Sequence, residues 1–150
     1  MSKYCIVKDG PALYLDCKEC HSKECEFFYC LVVGSRDFCN YNKMRELLDM
    51  YLSNWSGRVV IVSGGAKGAD SLAEKYAKDK GYLFREFPAD WNAYGKQAGY
   101  IRNEEMHKYI SKAKNRGIVA FWNGTSKGTA QNFGLAKKYN NPIRIVRYTS

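Results

Sequence analysis

From residue 27 onward the chain switches repeatedly between two hydrophobic rhythms. Phe27 to Val33 is an unbroken apolar run that stops at Gly34, the pattern of a strand buried on both faces of a parallel sheet. Met44, Leu47, Leu48, Tyr51 and Leu52 then recur at i, i+3, i+4, i+7 and i+8, one apolar stripe of a helix. Arg58 to Val62 reads as a second buried strand, halted by Ser63-Gly64-Gly65. Leu72, Ala73, Tyr76 and Ala77 mark the next helix, which stops at Gly81. Tyr82 to Phe87 is a third, weaker strand closed by Pro88. A helix beginning near Gln97 carries Ile101, Met106, Tyr109, Ile110 and Ala113, and Gly117 reopens a strand that runs to Trp122. A helix from about Gly128 to Tyr139 ends at Asn140-Asn141-Pro142, and Ile143 to Tyr148 is the last strand.

Strict alternation of strand and helix predicts an α/β fold, a three-layer α/β/α sandwich around a mainly parallel five-stranded sheet with right-handed crossovers. Parallel strands bring the loops that follow them to one edge, where open α/β sheets bind ligands. Gly34-Ser35-Arg36-Asp37 follows the first strand, and Ser63-Gly64-Gly65-Ala66-Lys67-Gly68-Ala69-Asp70 follows the second. A long loop from Pro88 to Asn103 follows the third and holds Asp90, Trp91, Tyr94, Lys96, Arg102 and Asn103. Asn123-Gly124-Thr125-Ser126-Lys127-Gly128-Thr129 follows the fourth.

A residue without a Cβ lets backbone N–H groups approach phosphate oxygens, and a helix start adds free N–H groups and the positive end of its dipole. Lys67 and Lys127 can add charge to the Gly-rich loops, and Ser63, Ser126 and Thr129 offer hydroxyls. Arg36 or Arg102 can grip a phosphate or carboxylate bidentately, and Trp91, Tyr94 and Tyr100 can stack on a base. A single Gly-rich loop is equally a tight strand-to-helix turn; several on one edge point to a ligand. Neither the P-loop spacing nor Gly-x-Gly-x-x-Gly occurs, so a dinucleotide bound in the usual Rossmann manner is not expected.

Composition changes this picture in three ways. A length of 150 residues suits one core, and no apolar run approaches the ~18 residues of a membrane span. The first residues lack the apolar core of a secretory signal, so a cytoplasmic protein without a membrane partner is expected. The net charge of +9 is uneven: residues 1–30 carry four Lys and five acids, so the remainder is net +10. Such a domain attracts phosphates, in nucleotides or in nucleic acid. All six cysteines lie within residues 5–39. Residues 1–26 therefore read as a Cys-rich extension and residues 27–150 as the ligand-binding domain. Cys5, Cys17, Cys20 and Cys25 are the expected ligands of a structural zinc, with His21 an alternative to Cys5; no other cofactor is expected.

Several ordered motifs resemble the SLOG superfamily, which joins the DNA-processing protein DprA with the LOG phosphoribohydrolases. Val33-Gly34-Ser35-Arg36-Asp37-Phe38 and Ser63-Gly64-Gly65-Ala66-Lys67-Gly68-Ala69-Asp70 carry the likeness. Phe87-Pro88-Ala89-Asp90-Trp91, Tyr94-Gly95-Lys96, Ala98-Gly99-Tyr100-Ile101-Arg102-Asn103, Ala120-Phe121-Trp122-Asn123-Gly124 and Ser126-Lys127-Gly128-Thr129 bring it closest to the YspA-like branch. The similarity spans roughly residues 28–147 and implies a Rossmann-like fold with a site for nucleotide-derived ligands, and a homodimer as in SLOG relatives. LOG enzymes carry a glutamate where this chain reads Asn132, and an amide cannot do the work of a carboxylate.

Three functions follow. The first is binding of a nucleotide or nucleotide-derived ligand, for sensing or sequestration. The second is hydrolysis or transfer at a nucleotide's N-glycosidic or phosphate linkage, with Asp70, Asp90 and Glu104 as candidate catalytic carboxylates. The third is DprA-like binding of single-stranded DNA. Asp70 also suits a helix cap, and His107, inside a helix, reads as a surface residue.

Overall fold

The computed structural model describes residues 27–149. The expected Cys-rich extension and its zinc ligands Cys5, Cys17, Cys20 and Cys25 lie outside the described residues. The elements are β1 (Phe27–Gly34), α1 (Tyr41–Tyr51), β2 (Arg58–Ser63), α2 (Ala69–Lys80), β3 (Leu83–Glu86), α3 (Trp91–Tyr94), α4 (Ala98–Ser111), β4 (Arg116–Trp122), α5 (Lys127–Lys138) and β5 (Ile143–Arg147).

The strand order is β3-β2-β1-β4-β5, and every pairing is parallel. Side chains of β1 alternate between two cores, as the period-two geometry of a strand requires. Tyr29, Leu31 and Val33 pack with Met106, Tyr109 and Ile110 of α4 on one face. Cys30 and Val32 pack with Met44 and Leu48 of α1 and Ala73, Tyr76 and Ala77 of α2 on the other. This is the Rossmann-like three-layer sandwich. Burial on both faces is why β1, β2 and β4 read as continuous apolar runs, whereas β5, at a sheet edge, keeps Ile145 46% exposed.

The chain runs outward from β1 through β2 to β3, then returns to lay β4 against the free side of β1. The crossovers diverge there, and the loops after β1 and β4 part at the carboxyl edge to leave a crevice. Two glycines let α2 start hard against this edge. A Cβ on Gly34 would strike the Ala69 side chain and the Phe121 carbonyl, and one on Gly68 (φ +77°) would strike the backbone of Ser35 and Arg36.

The stretch from Pro88 to Asn103 is not one loop. Asp90 accepts a hydrogen bond from Ala93 N–H at 3.1 Å and caps the single turn α3. A 3-10 turn, Gly95–Gln97, leads directly into α4. Arg102 and Asn103 therefore project from a helix, whose rigidity fixes their positions better than a loop would.

Candidate functional site

The crevice at the switch between β1 and β4 opens into a cleft of about 510 Å³. Gly34, Ser35 and Arg36 come from the loop after β1; Ala66 and Asp70 from the loop after β2 and the start of α2. Trp91 and Lys96 stand at its rim, and Arg102 and Asn103 reach it from α4. Asn123, Ser126, Gly128 and Thr129 close it from the loop after β4 and the start of α5. A neighbouring hollow of about 520 Å³ takes Gly64, Gly65 and Lys67. The structure thus brings together most of the residues expected from the loops.

Four lie elsewhere. Ser63 is fully buried; its hydroxyl accepts from Gly65 N–H at 3.4 Å and donates to the Asp70 carbonyl at 3.3 Å, building the turn. Gly68 forms the close backbone approach described above. Gly124 (φ +92°) turns beneath Arg147, and Lys127 begins α5 with its side chain exposed.

Of the three candidate catalytic carboxylates, only Asp70 faces the cleft. It is 7% exposed. Burial pushes its carboxyl up to about 6, against the opposing pull of Ala66 N–H and the charges of Arg102 and Arg36. The Ala66 N–H donates to Oδ2 at 3.1 Å. Asp90 is spent on capping α3. Glu104 points away between α4 and α5, where Lys138 and the Tyr139 hydroxyl (2.6 Å) bind its carboxylate. The wide spacing of these elements around the sheet edge separates carboxylates that look comparable along the chain.

Arg102 is 8% exposed. Its Nη1 donates to the Gly64 carbonyl at 2.6 Å and its Nε to Asn103 Oδ1 at 3.1 Å. A Cβ on Gly64 would collide with the guanidinium, so that glycine makes room for an arginine rather than for a phosphate. Asn103 Nδ2 donates to Gln131 Oε1 at 2.8 Å, tying α4 to α5. Ser35 Oγ accepts from Asn123 N–H at 3.2 Å, closing the floor between the β1 and β4 loops.

His107 is not at the surface. It is fully buried beneath the cleft in a polar chain whose direction is fixed by chemistry. Arg116 can only donate, and its Nε meets Asn141 Oδ1 at 2.6 Å. Asn141 therefore presents its amide hydrogens to His107 Nδ1, at 3.3 Å. His107 is then neutral with its proton on Nε2, which donates to Asn132 Oδ1 at 3.0 Å. Asn132 Nδ2 in turn donates to the carbonyls of Gly128 and Thr129, at 3.2 and 3.3 Å. Burial lowers the His107 pKa, in keeping with a neutral ring. Asn132 lines the cleft with its amide wholly committed to holding the start of α5.

Gly99, Met106 and Asn132 also line the cleft; Gly99 and Met106 were not expected there. With Arg102 and Asn103, the first two occupy i, i+3, i+4 and i+7 of α4. That spacing was the available signal: polar side chains in phase with an apolar stripe. Trp122 has a structural place, its Nε1 donating to the Ser126 carbonyl at 3.0 Å and its ring set edge-on to Phe133. Among the described residues, no group of His, Cys, Asp and Glu is arranged to hold a metal. No helix among them is long and apolar enough to cross a membrane.

A parallel sheet of this order, with its loops gathered over the β1–β4 switch, defines the class: a Rossmann-like α/β domain. The model of the YspA, cpYpsA-related SLOG family matches residues 30–94. Gene 61 protein of Mycobacterium phage D29 is 33% identical over 121 residues, which cover 75% of this chain and 91% of the phage protein. The chain belongs to the YspA, cpYpsA-related SLOG family. Among solved structures, a predicted subunit of tRNA methyltransferase from Methanocaldococcus jannaschii DSM aligns over 79% of this chain and 67% of its own, with 14% identity and a TM-score of 0.37.

Proposed function

We propose that the cleft binds a nucleotide or nucleotide-derived ligand, with a phosphate held at the start of α5. Family and fold fit a nucleotide-related function; the contrast between two helix starts carries the finer reading. At α2, Asp70 already places a carboxylate on the Ala66 N–H, so the positive end of that helix is neutralised from within. At α5 the first turn has no acidic residue, Ser126 caps only Thr129 N–H, and Gly128 adds no side chain over the cleft. The amides of Lys127 and Gly128 have no acceptor among the described residues, as the opening amides of a helix do not. They and Arg102 suit an anion, and Trp91 and Tyr100, 51% and 44% exposed at the rim, suit the flat face of a base.

Asp70 favours a second reading, a nucleotide hydrolase or transferase. A carboxyl near 6 inside a cleft is poised for proton transfer. Against the LOG type of reaction stands Asn132, whose amide is fixed by His107 and carries no charge.

A thermal-shift screen at physiological salt separates the readings. Mononucleotides, ADP-ribose, cyclic dinucleotides and short single-stranded DNA are each added and each mixture is assayed for products. A ligand at about 100 times its dissociation constant raises stability by about 2.7 kcal/mol. A shift with a small nucleotide and no product is expected. Product formation selects the enzyme, and a shift with DNA alone overturns both small-ligand readings.

A further inference from the structure

The cleft and the neighbouring hollow are nearly equal in volume, about 510 and 520 Å³, and they share Arg36, Ala66, Trp91 and Arg102. Their common ridge therefore carries two guanidinium groups and an indole face. Arg102 is fixed through Nε and Nη1, while Nη2 has no acceptor among the described residues. Arg36 is exposed near it, and its charge opposes that of Arg102, which Asp70 and Glu86 already attract. An anion lying between the two guanidinium groups is drawn to both. Beyond the ridge the hollow is mostly apolar, walled by Pro88 and Ala89, and its charges, Lys67 and Glu86, balance. A carboxylate there disfavours a second phosphate and suits sugar hydroxyls or a base amine.

We propose that the ligand spans both compartments and is a phosphate-linked dinucleotide, its anionic linkage crossing the ridge between Arg36 and Arg102. The first phosphate of the linkage stays at the start of α5 with its base against Tyr100 in the cleft, and the second nucleoside lies in the hollow between Trp91 and Glu86. This rests on the nucleotide reading above and names its ligand class. Binding sites enclose most of a ligand's surface; a mononucleotide fills one compartment and leaves the other, with Lys67 and Glu86, without a partner.

The test is calorimetric titration with 5′-mononucleotides and with symmetric dinucleoside 5′,5′-diphosphates of the same bases. The dinucleotide is expected to bind one per chain and at least about tenfold more tightly than its mononucleotide. Ala89→Trp, which fills the hollow, is expected to reduce that ratio to near one, and Glu86→Gln, at an exposed position, to narrow it. Equal affinities in the unaltered protein, two mononucleotides per chain with no dinucleotide advantage, or a ratio untouched by both variants overturns the proposal alone. Failure of every mononucleotide and dinucleotide to bind overturns the nucleotide reading beneath it.

Discussion

At the scale of single residues, two buried titratable groups pull stability in opposite directions. Asp70 is raised from its ordinary 3.8 to about 6. The unfolded chain therefore loses this proton first, and stability falls as pH rises from about 4 to 6. The shift corresponds to an order of 2–3 kcal/mol. Asp70→Asn is expected to gain that much on the native protein between pH 4 and pH 7.5, measured by urea denaturation at both. If Asp70 serves the ligand, the same variant binds less well, the usual cost of stabilising a working site. His107 is lowered from 6.5 by burial, so its contribution is present above 6.5 and fades as the pH falls below it. His107→Phe leaves the Asn132 and Asn141 side chains short of partners, a loss of at least about 2 kcal/mol, read from the urea midpoint at pH 7.5. An unchanged midpoint would mean that the polar chain is not formed. The sequence did not reveal this chain, because its bonded members lie 25 to 34 residues apart and only the packing of α4, α5 and β4 aligns them.

At the scale of elements, the strands and helices were legible wherever burial on one or both faces sets a rhythm. The stretch from Pro88 to Gln97 was not. Its only regular pieces before α4 are a capped single turn and a 3-10 turn, too short for any period to show. In α4 the reading misled for a different reason. Arg102, Asn103 and His107 are all buried, so polar side chains occupy the stripe that an ordinary amphipathic helix fills with apolar ones. The conflict marks the site. Contact between β1 and α2 is equally decisive: Gly34→Val drives a side chain into Ala69 and the Phe121 carbonyl. It is expected to cost about 1–3 kcal/mol and to abolish ligand-induced stabilisation, both measurable by thermal melting with and without nucleotide.

At the scale of the molecule, topology distinguishes the two Gly-rich loops. Both were equally attractive along the chain, since each couples glycine, hydroxyl and lysine at a helix start. Folding sets the Asp70 carboxylate on the Ala66 N–H at one start and brings the other, whose first turn holds no acidic residue, to the switch-point cleft that Asp37 also lines. The net charge of +9 then acts at long range, attracting phosphates without choosing among them. A pocket-bound mononucleotide is expected to lose affinity only gently between about 50 and 200 mM salt, whereas DNA spread over six or more phosphate contacts loses about a thousandfold or more. Titrations at the two salts distinguish the cleft from the basic surface.

An anion at the start of α5 would touch the backbone amides of Lys127 and Gly128 first. This placement is tested most directly by adding the best-stabilising mononucleotide to 15N-labelled protein and following the backbone amide resonances. The account predicts the largest shifts at Lys127 and Gly128, with Ser35 and the Arg102 side chain moving alongside and Gly65 and Ala66 little changed. Shifts centred on Gly64 to Gly68, or scattered over the basic surface, would contradict it.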